Sequence, residues 1–407
     1  MTPIVPIENL KREISSLSDQ CVKCGLCSAK CPTYKLHADE NESPRGRIAL
    51  AQAISADAVQ SFDRAKHHLD NCLYCQLCET SCPSGVKYTQ IIDKTLEVVN
   101  RTTRTSKQSR LEAFGIKFLS RQKEERWSKI ALIWKLLFPI TGKLLLKKFK
   151  IDPRAVKRTT ANKTNLAKST IANKRKVILF SGCTSHLFDQ QTFEDSISLL
   201  EYYGYEVDVP KKQTCCGAIA KHRGYSELYR ECENNNTVLF DKTDSIPIIY
   251  TATGCGATLH QYSSEISQRF IDINQFISSN IKIDSADLQL LTKKVIIHSP
   301  CSQQKSITSN NVVETVIRNI PAIDVLDLKY GSCCGAGGSH FMRNPNTAAQ
   351  LRTPLVTQLK ESKPDYVVSS NYTCAMHITS GLLEKGVDIQ VIHPISLLVK
   401  QLKNKAG

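Results

Sequence analysis

The sequence predicts an α + α/β chain: a small, mostly helical N-terminal domain, a basic helical linker and two repeated α/β units. Three observations predict it. The 17 cysteines of the 407 residues fall in tight groups, eight before residue 100 and nine after residue 174, with none between. The cysteine-free middle carries almost the whole charge imbalance, with 19 Lys+Arg against 4 Asp+Glu between Arg101 and Thr170 in a chain of net charge +16. The remainder repeats itself, each copy running strand, cysteine, helix, strand, Cys-Cys-Gly, helix, strand, cysteine. The length exceeds one ordinary core, and the boundaries follow as 1–100, 101–174, 175–292 and 293–407.

The N-terminal domain is defined by two runs. One is Cys21-Val-Lys-Cys24-Gly-Leu-Cys27-Ser-Ala-Lys-Cys31-Pro32 and the other Cys72-Leu-Tyr-Cys75-Gln-Leu-Cys78-Glu-Thr-Ser-Cys82-Pro83. Both match C-x₂-C-x₂-C-x₃-C-P. Three closely spaced thiolates wrap one corner of a [4Fe–4S] cubane, and the fourth points away to ligate the other cluster. The expected sets are therefore Cys21, Cys24, Cys27 and Cys82 for one cluster, and Cys72, Cys75, Cys78 and Cys31 for the second. Zinc also uses C-x₂-C, but it needs four ligands per site and no such doubled eight-ligand arrangement. Arg47 to Gln60 and Tyr88 to Asn100 read as helices. The 40 residues between Cys31 and Cys72 leave room for them, so a helical two-cluster ferredoxin domain is expected.

The cysteine count is odd, and Met1 to Gln20 has no apolar stretch of signal-peptide length. A disulfide scaffold is thus not expected, and reduced, metal-binding thiols in the cytoplasm are.

The repeats keep their spacing closely. Cys183 is followed by 31 residues and Cys215-Cys216, then 38 residues from Gly217 on and Cys255; Cys301 is followed by 31 and Cys333-Cys334, then 39 from Gly335 on and Cys374. Lys176 to Phe180, Tyr205 to Val209 and Ile246 to Tyr250 read as strands in the first copy. Lys294 to Ile297, Ile323 to Leu328 and Tyr366 to Val368 do so in the second. Phe193, Ile197 and Leu200, and likewise Val313, Ile317 and Ile320, mark amphipathic helices. Mainly parallel sheets and a pseudo-twofold pair of units are expected. Each copy gathers four thiols, which could hold a further iron–sulfur cluster, zinc or a redox-active thiol pair. Cys232 has no counterpart and reads as a plain buried thiol.

With Ser43-Pro-Arg-Gly-Arg-Ile48, Cys82-Pro-Ser-Gly85, Thr253-Gly-Cys-Gly256, Gly331-Ser-Cys-Cys-Gly-Ala336 and His393-Pro added, the chain resembles, along its length, the iron–sulfur subunits of bacterial glycolate oxidase (glycolate dehydrogenase). The wider family with paired Cys-Cys-Gly repeats includes subunits of heterodisulfide reductase and anaerobic glycerol-3-phosphate dehydrogenase, and lactate-utilisation proteins. The resemblance implies an electron-transfer subunit. It would take electrons from an FAD flavoprotein that oxidises glycolate to glyoxylate, or D-lactate, and pass them to membrane quinone from the cytoplasmic face of the inner membrane. The same resemblance leaves open another 2-hydroxy-acid or glycerol-3-phosphate dehydrogenase, or a thiol-disulfide reductase subunit working through Cys215-Cys216 or Cys333-Cys334. One departure stands out: where the wider family often closes each repeat with C-x-x-C, this chain has Cys255-Gly-Ala-Thr258 and Cys374-Ala-Met-His377. A five-thiolate cluster is not expected, and His377 is expected to hydrogen-bond rather than to ligate.

Ile130 to Lys150 mixes apolar residues, Trp134 and lysines, suiting a membrane interface, a partner subunit or packing on the chain's own core. Lys135, Pro139 and Lys143 interrupt it, so no membrane span is expected. No nucleic-acid motif accompanies the charge. Without a G-x-G-x-x-G after a strand or a P-loop, the flavin and substrate belong on another chain.

Overall fold

The computed structural model describes residues 5–103, 107–121, 143–157, 166, 175–183, 188–243, 245–303, 311–328 and 333–403. Two compact units are present. One comprises Met1–Arg121 with Gly217–Glu233 and Gly335–Leu351; the other comprises Gln122–Cys216, Asn234–Cys334 and Arg352–Gly407.

The first unit is helical. Its frame is α1 (Ile7–Ser18), α2 (Pro44–Ser55), α3 (Phe62–Asp70) and α4 (Tyr88–Thr102). Helix α2 starts where Ser43 Oγ accepts the Gly46 amide at 2.9 Å and Pro44 takes the first helical position. It stops short of the expected Gln60 because Asp57 turns left-handed, with φ +55. Helices α1, α2 and α4 pack mutually around Leu10, Ile14, Ile48, Ala51, Ile92, Leu96 and Val99. Helix α1 escaped the sequence reading because its buried stripe is only Leu10, Ile14 and Ser18.

The segments that follow each Cys-Cys pair belong to this same unit. Arg223 is ion-paired with Asp70 at 2.5 Å, and Arg343 with the other oxygen of Asp70 at 2.7 Å. Gly224 lies so close to α4 that an added Cβ would stand 2.5 Å from the Leu96 carbonyl carbon. Cys232 is buried and donates to the Ser120 carbonyl, as expected of a plain buried thiol.

The second unit holds two four-stranded parallel sheets of identical order. Strands β1 (Arg175–Phe180), β2 (Tyr205–Asp208), β3 (Ile248–Tyr250) and β4 (Phe270–Asp272) run β2-β1-β3-β4. Strands β5 (Lys294–His298), β6 (Asp324–Leu326), β7 (Tyr366–Ser369) and β8 (Gln390–Ile392) run β6-β5-β7-β8. The helices of interest are α5 (Gln190–Tyr202), α6 (Thr253–Leu259), α7 (Ile273–Asn280), α8 (Val312–Arg318), α9 (Tyr372–Glu384) and α10 (Pro394–Val399). The repeats pair reciprocally: α5 of the first packs on α10 of the second, and α7 of the first on α8 of the second. One continuous core results, with Val177, Leu179, Ile249 and Ile277 from one copy and Val295, Val316, Val368 and Leu398 from the other. Strands β4 and β8, three residues each, were not foreseen, since so short a run carries no period.

Of the basic amphipathic stretch expected over Ile130 to Lys150, residues 130–142 lie outside the described residues. At its end Leu146 is buried while Lys147, Lys148 and Lys150 are exposed; just beyond it Ile151 is buried and the turn of helix at Pro153–Lys157 packs on α9. No helix among the described residues is long and apolar enough to cross a membrane.

Candidate metal centres

The two N-terminal cysteine loops share one backbone trace. The third and fifth residues of each motif are left-handed: Lys23 (φ 55) and Gly25 (φ 88) in the first, Tyr74 (φ 53) and Gln76 (φ 60) in the second. Alternating handedness of this kind turns successive side chains and amides towards one concave side.

Each loop frames a small cavity. One is lined by Cys21, Cys24 and Cys27 together with Cys82 from the other motif, and by Lys23, Gly25 and Arg45. The other is lined by Cys72, Cys75 and Cys78 together with Cys31, and by Arg47 and Tyr88. Four thiols are the only soft ligands in either, a donor set that fits an iron–sulfur cluster. Burial raises the Cys27 and Cys72 thiols above the ordinary range, and Cys78 further. Metal that takes them as thiolates therefore displaces protons.

The two arginines of Ser43-Pro-Arg-Gly-Arg-Ile48 divide between these cavities. Arg45 reaches the first, donating to the Lys23 carbonyl at 3.2 Å and pairing with Glu40 at 2.5 Å while one-third exposed. Arg47 lines the second and is 1% exposed. It pairs with Glu42 at 2.5 Å and donates to the His68 carbonyl at 2.8 Å and to Thr33 Oγ1 at 3.2 Å. Thr33 Oγ1 stands 3.2 Å from Cys31 Sγ. Glu42 is held in addition by His68 Nδ1 at 2.8 Å and Asn71 Nδ2 at 2.7 Å, and Asn71 Oδ1 meets His340 Nε2 at 2.9 Å. A desolvated cation thus sits beside the second thiol set, inside a satisfied network. The sequence reading singled out this motif without assigning the arginines a task. Two arginines two apart at a helix start are no signal without the loops they serve.

The repeat cysteines gather at the carboxyl ends of the central strands, where the strand order reverses and open α/β sheets place their sites. In the first copy Cys183 follows β1, Cys255 lies in the first turn of α6, and Cys215 Sγ is 3.7 Å from Cys183 Sγ. Hydrogen bonding among the thiols, with burial, raises Cys183 and Cys216 well above the ordinary range. Asn236 Nδ2 donates to the Cys215 carbonyl and Tyr262 Oη to the Cys216 carbonyl, both at 3.1 Å.

In the second copy Cys301 follows β5, Cys374 lies in the first turn of α9, and Cys334 Sγ is 2.8 Å from Cys374 Sγ. Burial pushes Cys301 up to about 12, and the contact with Cys334 raises Cys374 further. His377 Nδ1 donates to the Cys334 carbonyl at 2.5 Å. It does for this copy what Asn236 and Tyr262 do for the other.

Comparison with known families places these features. A 4Fe-4S dicluster domain matches residues 17–86, and a cysteine-rich domain matches twice, over residues 177–260 and 295–379. The chain thus joins a 4Fe-4S dicluster domain to paired Cys-Cys-Gly domains. Along its length it is similar to glycolate oxidase iron–sulfur subunits. The Escherichia coli (strain K12) subunit is 28% identical over 90% of this chain and 91% of its own length. A probable glycolate oxidase iron–sulfur subunit of Bacillus subtilis is 25% identical over the full length of both. Lactate utilization protein A of Macrococcus caseolyticus is 26% identical over 56% of this chain and 98% of its own.

Proposed function

We propose that the chain is the electron-transfer subunit of a glycolate or D-lactate dehydrogenase complex. A flavoprotein partner carrying FAD oxidises glycolate to glyoxylate, and this chain passes the electrons towards membrane quinone while held peripherally at the cytoplasmic face. Cys21, Cys24, Cys27 and Cys82 hold one cluster, and Cys72, Cys75, Cys78 and Cys31 the other. The relay occupies 1–100, the basic linker 101–174, and the Cys-Cys-Gly units 175–292 and 293–407. Cys183, Cys215, Cys216 and Cys255 form a further soft-metal or thiol site, and Cys301, Cys333, Cys334 and Cys374 form its counterpart in the second repeat. The observation that carries the reading is the pair of cavities, each closed by the other motif's fourth cysteine.

The clusters supply one-electron oxidation and reduction with no substrate chemistry of their own. The chain's residues set the conditions. Arg47 offsets negative charge at the buried set, and the network through Glu42, Thr33 and Asn71 holds it there. The other set meets solvent: Cys24 is exposed, flanked by Val22 (70% exposed) and Leu26 (58% exposed). This loop is the edge at which a redox partner exchanges electrons. The chain, purified anaerobically, is mixed with a candidate FAD flavoprotein subunit and then with glycolate or D-lactate. Low-temperature EPR of reduced clusters on glycolate or D-lactate, but not without flavoprotein, is the expected result. Oxidised clusters with both substrates would sink the assignment.

A further inference from the structure

The two N-terminal cysteine loops have one shape but different surroundings. Val22 and Leu73 hold the same place after the first cysteine of each motif, Lys23 and Tyr74 the next, and Leu26 and Leu77 the place before the third cysteine. In the second loop the chain itself covers these positions. Leu73 is 6% exposed, and Gly337 lies so close that an added Cβ would stand 2.8 Å from Leu73 Cδ2. The Tyr74 ring stacks on the His222 ring, with centroids 4.3 Å apart. The two covering segments are those that Arg223 and Arg343 tie to Asp70, just before Cys72.

The first loop has no such cover among the described residues of this unit. Val22 and Leu26 stand well exposed on either side of the exposed Cys24, and both line its cavity. A single exposed aliphatic side chain needs no explanation. Here two frame one cavity, at positions of which the sister loop buries one and half-buries the other. Charge differs in the same sense. The first motif carries Lys23 and Lys30, both exposed, and no acid, whereas the second carries Glu79 and no base. Arg45 beside the first cavity is offset by Glu40, while Lys23 makes no ion pair among the described residues. The bare face is therefore apolar at its centre and positive at its rim.

We propose that the loop from Cys21 to Cys27 docks a redox protein whose electron-exchanging face is apolar with a rim of Asp and Glu. Val22 and Leu26 make the contact, and Lys23 and Lys30 steer the approach. This rests on the electron-transfer reading and adds to it the chemistry of the partner. The second loop, capped by 217–233 and 335–351, takes no outside partner. The partner's reduced group gives up one electron and the chain takes it, and no bond forms or breaks. Interfaces between electron-transfer partners are small and transient, so two aliphatic side chains make a sufficient centre.

An acidic flavodoxin is the probe, and basic cytochrome c its opposite, each added to the chain with its clusters in place. Lysine acetylation read by mass spectrometry gives the footprint. Oxidised flavodoxin is expected to protect Lys23 and Lys30 and to leave Lys242, exposed elsewhere, unchanged; cytochrome c protects none of them. Stopped flow gives the rate. Reduction by flavodoxin hydroquinone slows about tenfold as salt rises from ~0.01 to ~0.15 M. Lys23→Glu with Lys30→Glu lowers the low-salt rate about tenfold and removes its salt dependence. Val22→Ser with Leu26→Ser lowers the rate at either salt, whereas Leu290→Ser, at a residue 75% exposed, does not. If the serine variant loses iron, the footprint and the lysine variant decide. Equal protection by both probes, or a rate indifferent to the lysine variant, overturns the proposal. So does protection of Lys23 by phosphatidylglycerol vesicles but not by flavodoxin, which would assign the loop to lipid. The probes owe nothing to glycolate. A footprint without glycolate- or D-lactate-driven reduction counts against the electron-transfer reading, and such reduction without a footprint counts against the docking surface alone.

Discussion

Arg223 and Arg343, one from the segment after each Cys-Cys-Gly, converge on a single carboxylate: Asp70 Oδ1 takes the first at 2.5 Å and Oδ2 the second at 2.7 Å. Asp70 ends α3, two residues before Cys72. Two segments distant in sequence are thus tied to the approach of one cysteine loop. Asp70→Asn leaves two guanidiniums, one of them buried, without their counter-charge. Breaking a buried pair from one side costs about 3–5 kcal/mol. Hydrogen exchange should rise in 217–233 and 335–351 and much less in the α1–α4 frame. Uniform exchange across the unit would show that Asp70 does not hold these segments.

The Arg47–Glu42 pair makes a second prediction. Arg47→Met removes a buried cation next to the cavity of Cys31, Cys72, Cys75 and Cys78, and leaves Glu42 uncompensated. Stability falls by about 3–5 kcal/mol, and adding Glu42→Gln recovers most of it. The midpoint potential of that cluster alone moves down, because reduction adds negative charge that the guanidinium no longer offsets. An EPR-monitored redox titration of the double variant separates the charge effect from instability. Equal movement of both clusters would contradict it.

Acid lability should trace in part to His393. It caps α10 by accepting the Ile395 amide on Nδ1 at 3.2 Å, and its Nε2 donates to the Thr251 carbonyl at 3.0 Å. Burial holds it neutral, with a pKa lowered from 6.5 to about 4. Between those values the unfolded chain binds the proton and the folded one does not, so stability rises with pH across this window. It is lost as pH falls from about 6.5 to 4, by up to ~3 kcal/mol. Asparagine caps without titrating. The stability gap between wild type and His393→Asn should be flat above pH 7 and shift towards the variant below 6. A gap independent of pH in anaerobic urea unfolding would exclude His393 as the source.

The legible parts of this chain are those where chemistry imposes spacing. A metal cluster fixes intervals of two and three residues, and a repeated fold fixes intervals of 31, so both cysteine systems and six of eight strands stood out. Asp70, Arg223 and Arg343 did not, because an ion pair between residues 153 positions apart leaves no local pattern.

The exchange of fourth cysteines is open to a direct genetic test. Cys31 belongs by sequence to the first motif, yet it lines the cavity of Cys72, Cys75 and Cys78; Cys82 belongs to the second and lines that of Cys21, Cys24 and Cys27. If ligation follows the cavities, Cys31→Ser loses one cluster and about four iron remain in the dicluster domain. Adding Cys75→Ser then changes nothing further, since it strikes a cluster already gone, whereas adding Cys24→Ser removes the other and leaves none. If each motif instead closed on its own fourth cysteine, the double variants would exchange results. Iron counts and EPR on four proteins decide between the two, without any assumption about substrate or partner.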